Sequence, residues 1–280
     1  MLYLVLAIVS SALLAVIMRV SERYCRNDMT MLAANYLMCA LASVAYAGGL
    51  SIPGDANGMG LTLGMGLING VLFLAGFVLL KWNISRCGVV LPATFMKLGV
   101  MVPTVAALLV FGEQPRITQL IGVAVAIGAI LLIQGKGDKS GSRADLGGLI
   151  LLLLSGGSAD TMSKVFETWG NPALKNHFLL FTFLVALLLC AALCIIRRQK
   201  VTLTDVLWGL LLGVPNYYST RFLLLSLSEV PAVASYPTYS VGTILMVTAA
   251  GALVFKEKLG RRKLTALGLI LVALILLNAG

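Results

Sequence analysis

Charge is scarce in this sequence. Of 280 residues, 11% are Asp, Glu, Lys or Arg, against about 25% in soluble domains. Histidine occurs once, at His177, and the five cysteines (Cys25, Cys39, Cys87, Cys190 and Cys194) show no metal-ligand spacing. One imidazole builds no metal site by itself and completes no HExxH motif. The few buried acids make no paired-aspartate centre, and no Ser/His constellation stands out. The composition therefore argues against an enzyme, and no cofactor or metal is expected. Cys190 and Cys194 lie four apart on one apolar helix face and read as small buried residues. His177 opens a helix and reads as an interfacial polar residue.

What fills the chain instead is apolar. Hydrophobic residues make up 59%, and the mean hydropathy is +0.98. Apolar blocks of roughly 17–25 residues recur from end to end, the length a membrane-spanning helix needs. The pattern predicts an all-α integral membrane protein with ten transmembrane helices, at about 2–18, 30–50, 61–80, 87–111, 117–134, 146–163, 177–196, 205–226, 230–255 and 263–279. The net charge of +10 is then loop charge that sets orientation, not a nucleic-acid footprint. The expected surroundings are a lipid bilayer.

The most polar segment, "GKGDKSGSRADLGG", falls at the midpoint and reads as a linker. It sets off a first unit, 1–137, and a second, 146–280, with 138–145 between them. The two units repeat. "LLVFGEQPR" closes the fourth span and "ALVFKEKLG" the ninth, so Glu113 answers Glu257. Pro92 answers Pro237 with one residue of slip. "MRVSERY" answers "SKVFETW", which pairs Arg19 with Lys164 and Glu22 with Glu167. Gly66 and Gly70 answer Gly209 and Gly213. Each unit has five spans, an odd number, so equivalent helices cross in opposite directions. That is an inverted-topology repeat, the architecture of many secondary transporters, with the substrate site near the midplane between halves.

On the 5+5 layout and the paired "VFGE" and "VFKE" ends, the sequence resembles the drug/metabolite transporter superfamily in its ten-helix, EamA-like form. The resemblance covers essentially the whole chain. It implies a carrier working by alternating access, with a cavity lined mainly by spans one, three, four, six, eight and nine. It also implies both termini in the cytoplasm. The charges here point the other way. Sixteen of the 21 Lys and Arg fall in loops after odd-numbered spans. The positive-inside rule then predicts a multi-pass protein of the cell (inner) membrane with both termini outside. The first apolar run reads as an uncleaved span rather than a signal peptide.

Lys97 is the only charge between Cys87 and Phe111. At about 1.5 Å of rise per residue it sits about 15 Å into its span, near the midplane. A charge there costs about 2.5–3.5 kcal/mol even on a lenient insertion scale, so a wet cavity or a partner is expected. Asp160 in "SGGSADTMSK" is the natural partner, with small residues Gly156, Gly157 and Ser158 beside it. Thr94, Met101 and Thr104 share the Lys97 face if the helix is regular. Pro92 and Pro103 interrupt span four, Pro237 span nine and Pro215 span eight, and all four are hinge candidates. Asn69, Asn216, Tyr217, Tyr236, Tyr239 and Ser240 complete the candidate binding set. Glu113 and Glu257, at helix ends, read as structural. The set suits a small polar metabolite, an amino-acid-like zwitterion or organic anion, with a proton as the candidate coupling ion. The alternatives are a carrier of cationic or hydrophobic drugs and a non-transporting membrane scaffold.

Overall fold

The computed structural model describes residues 1–21, 23–47, 57–87, 90–134, 146–253 and 261–278. The central linker, Glu22 and Glu257 lie outside the described residues. The described chain is all-helical: α1 (Leu2–Ser21), α2 (Asp28–Tyr46), α3 (Met59–Cys87), α4 (Val90–Leu98), α5 (Met101–Leu109), α6 (Ile117–Gln134), α7 (Leu146–Trp169), a 3-10 turn (Pro172–Leu174), α8 (Lys175–Ile196), α9 (Leu203–Ser226), α10 (Ala232–Leu253) and α11 (Arg261–Asn278). Five of these segments are long and apolar enough to cross a membrane: Leu2–Ser21, Asp28–Tyr46, Met59–Ile84, Leu146–Trp169 and Pro172–Ile196. Among the described residues the other helices are shorter or more polar.

Helix starts follow local chemistry. The Asn27 side chain accepts from the Met29 and Thr30 amides and so starts α2. Thr202 does the same for the Asp205 amide at the head of α9. Each satisfies amides that a helix cannot bond internally. The predicted fourth span is broken. Pro103 lacks the N–H that would reach the Gly99 carbonyl, and the chain passes through a turn at Gly99 and Val100 between α4 and α5. The ninth differs: α10 runs continuously through Pro237, with Pro231 just before its first turn.

Two cores hold the bundle. One joins α1, α6, α10 and α11 around Leu4, Ile130, Val233, Val241 and Ile270. The other joins α2, α3, α7 and α8 around Tyr36, Phe166, Phe178 and Phe183, and α9 contributes to both. Glycines set the closest approaches. A Cβ on Gly209 would lie 2.2 Å from the Met31 carbonyl oxygen, and one on Gly213 2.6 Å from that of Asn35, so α9 packs backbone to backbone on α2. Gly66 and Gly70 bring α3 onto α8 in the same way, with a Cβ on Gly70 falling 2.6 Å from the Thr182 carbonyl oxygen.

Candidate functional site

The break between α4 and α5 lies beside Lys97. The Lys97 carbonyl accepts from the Val100 amide at 3.4 Å, a turn shorter than the α-helical one. The break also rotates α5 relative to α4, which corrects the expectation of one continuous polar face. Met101 is 39% exposed, and Thr104 is buried with its hydroxyl bonded to the Val100 carbonyl at 2.8 Å. The Thr94 side chain lies outside the described residues.

α4 and α5 cross α7 at a glycine pair. A Cβ on Gly157 would sit 2.4 Å from the Gly99 carbonyl oxygen. At Gly157, one of the small residues beside Asp160, the close approach is thus made by another backbone. Gly156 is different: a Cβ there meets nothing within 4 Å. The outward face of α7 carries exposed Ile150, Leu151 and Leu154, so Gly156 and Asp160, one turn apart, look inward. Lys97 and Asp160 are both half-buried. Among the described residues they form no direct ion pair with each other, although their helices touch at the Gly99–Gly157 crossing.

α10 completes this cluster. The Tyr236 hydroxyl, from a fully buried side chain, donates to the Asp160 carbonyl at 2.5 Å. One turn on, the Tyr239 hydroxyl pairs with Ser219 Oγ of α9 at 2.8 Å and lies beside Ser11 of α1. Ser240 comes next in the helix, half-buried. The structure therefore brings together Lys97, Asp160, Tyr236 and Tyr239, and adds Ser11 and Ser219, which sequence reasoning missed. Serines in apolar helices commonly bond their own preceding turn, as Ser43, Thr161 and Thr248 do here. No sequence signal marks Ser11 and Ser219 as reaching across, nor Ser155, whose hydroxyl donates to the Leu72 carbonyl of α3 at 3.2 Å.

The other candidates sit elsewhere. Asn69 is fully buried between α3 and α8, its amide donating to Thr182 Oγ1 at 3.3 Å. Asn216 donates to Asn35 Oδ1 at 3.2 Å between α9 and α2. Tyr217 is fully buried on the α2 and α8 side of α9, stacked on Tyr46, and its hydroxyl accepts from Arg221 at 3.0 Å. Pro92, Pro103, Pro215 and Pro237 are all buried. His177, expected at an interface, is 5% exposed, because the start of α8 is packed under α3. Cys39 and Cys190 are buried and Cys25 and Cys194 half-buried, all four free thiols. An apolar crevice of about 120 Å³ opens between α5, α6 and α10, lined by Val100, Thr104, Leu108, Val123, Ile130 and Pro237. It carries no charged group.

Comparison with known proteins bears on the fold. No family model matches the chain. It is 25% identical over 209 residues to an uncharacterized protein of Haemophilus influenzae, covering 72% of this chain and 69% of that protein. A protein of known crystal structure superposes with a TM-score of 0.77 at 12% identity, over 99% of this chain and 96% of the other. That likeness is one of fold.

Proposed function

We propose that the chain is a secondary-active carrier of a small polar metabolite, an amino-acid-like zwitterion or an organic anion, working by alternating access in the cell (inner) membrane. In this reading the helices make ten spans, α4 and α5 counting as one, in two inverted five-helix repeats of the drug/metabolite transporter kind. The packing supports the repeat. Exchanging the halves turns the α2–α9 contact into α8–α3, α1–α9 into α7–α3, and α1–α10 into α7–α4/α5. The α2–α8, α5–α10 and α6–α11 contacts map onto themselves. The glycine pairs obey the same exchange, since Gly209 and Gly213 rest on α2 as Gly66 and Gly70 rest on α8.

The observation that carries the substrate class is that Lys97 and Asp160 flank the Gly99–Gly157 crossing, both half-buried, with no ion pair between them among the described residues. A structural ion pair closes, because its Coulombic gain must offset desolvation. Two inward charges left apart suit a ligand with a carboxylate for Lys97 and an ammonium for Asp160. The pseudo-equivalent of Lys97 is Val241 or Gly242. Gly242 is packed against Ile8, so the lysine breaks the symmetry, as a chemically asymmetric ligand requires. Uptake of a labelled amino-acid and organic-acid panel into proteoliposomes tests the reading. Saturable flux that Lys97→Met abolishes is expected. Absence of flux above empty vesicles across the panel favours a scaffold.

A further inference from the structure

The inward face of α7 changes character within three turns. Leu152 is fully buried. Gly156 opens into empty space, Asp160 is half-buried, and Lys164 is buried again at 9% exposure. Lys164 stands one turn, about 6 Å, beyond Asp160 toward the Trp169 end of the helix. Something seals the face there.

The seal is a carboxylate shared by three elements. Gly112, at φ +63, turns the chain out of α5. Glu113 then points both oxygens at the first turn of α10, accepting the Ala232 and Val233 amides at 3.0 Å each. Those amides have no partner within their own helix, and the positive end of the helix dipole favours the carboxylate. The Lys164 ammonium lies 3.3 Å from Glu113 Oε1 and 2.8 Å from Glu167 Oε2. The Phe111 ring covers it at 5.9 Å, and Trp169 packs on Phe111. One turn deeper, the Tyr236 bond to the Asp160 carbonyl ties α10 to α7 a second time.

We infer that the Glu113–Lys164 clamp on the start of α10 is the closed gate on the Trp169 side of the Lys97–Asp160 site. It rests on the carrier reading above. Substrate passes on this side when α5 and α10 part from α7, and the clamp is the contact that breaks. Its chemistry suits breaking. The Lys164, Glu113 and Glu167 side chains keep 11%, 15% and 20% exposure, so water can take over each partner as the helices separate. A partly buried ion pair also returns little net energy once desolvation is subtracted. The α2–α8 and α3–α8 seams, by contrast, are interlocked around Tyr36, Phe178 and Phe183, with the Asn69–Thr182 bond buried between α3 and α8.

Thiol accessibility tests this without a known substrate. The full-length protein, with its native cysteines replaced, carries Gly156→Cys as reporter, chosen because a side chain there meets open space. A membrane-impermeant maleimide is added from the Trp169 side in proteoliposomes. Labelling is expected to be slow in the parent and at least tenfold faster in Lys164→Met and Glu113→Gln, both checked for monodispersity. The exchange Glu113→Lys with Lys164→Glu is expected to stay fast, because a lysine at 113 cannot accept the α10 amides; slow labelling there would overturn the capping role. A bismaleimide link between Glu113→Cys and Val233→Cys, with the impermeant maleimide added after linking and Gly156→Cys shown still free by labelling after denaturation, is expected to hold labelling slow. Equal rates in all variants, or no labelling in any, overturn the gate. Rates that respond in a protein that moves no solute leave the gate standing and remove the carrier reading.

Discussion

At the scale of single residues, glycines and one lysine make opposite demands. Gly209 has no room: a Cβ would meet the Met31 carbonyl oxygen at 2.2 Å. Gly209→Leu should therefore push α9 off α2 and cost about 1–3 kcal/mol or more, seen as a lowered unfolding temperature in detergent. Gly156→Ala meets nothing within 4 Å and should leave that temperature unchanged or slightly raised, since Ala favours helix over Gly by about 1 kcal/mol. Lys97→Met keeps most of the volume and removes the charge, so stability should hold while transport is lost. The double variant Lys97→Met, Asp160→Asn separates the readings: recovered transport would show that the charges serve packing. Asp160 and Lys97 were legible in the sequence because charges in apolar runs are rare. Ser11 and Ser219 were not, because a hydroxyl in a helix has its own carbonyl as a ready partner.

At the scale of elements, the α4–α5 break is the informative feature. Pro103 marks it in the sequence; α10 has valine, Val247, at the corresponding place, and its own proline, Pro237, which answers Pro92, leaves that helix continuous. The surroundings differ too: Gly99 at the break crosses α7 against Gly157, and Pro237 is buried between Tyr236 and Thr238, both buried. Pro103→Ala returns a donor for the Gly99 carbonyl. It should let α4 and α5 approach one helix, with a thermal midpoint equal or higher and transport lowered because Lys97 turns away from Asp160. Paired unfolding and uptake assays on one preparation check this. A variant that transports normally would show that the break has no role in the site.

At the scale of the whole molecule, orientation and symmetry are read from different things. Orientation rests on the 16 basic residues after odd-numbered spans, and a reporter fused after Gly280 should lie outside the cytoplasm. Activity of a cytoplasm-only reporter at that point would reverse the assignment. The proposed repeat rests on matched residues in the sequence, Gly66 with Gly209 and Glu113 with Glu257. The glycines fall in contacts that the proposed exchange of halves relates, Gly66 and Gly70 against α8 and Gly209 and Gly213 against α2.

Where the helices lie could be read without any packing. Backbone amides among apolar side chains must bond within their own helix, so run lengths, prolines and capping residues mark the elements. Lys97 stood out in the same way, since an isolated charge in an apolar run needs a reason to be there. Which polar groups meet is a matter of packing alone. Tyr236 and Tyr239 join Asp160 and Ser219, whereas Asn69 and Asn216 are spent between helices and the Tyr217 hydroxyl on Arg221 of its own helix. A helix shows its full circumference in sequence, and the sector that faces a partner depends on crossing points and breaks. At Gly99 a turn of about three residues instead of 3.6 rotates everything beyond it, and no local pattern records that angle.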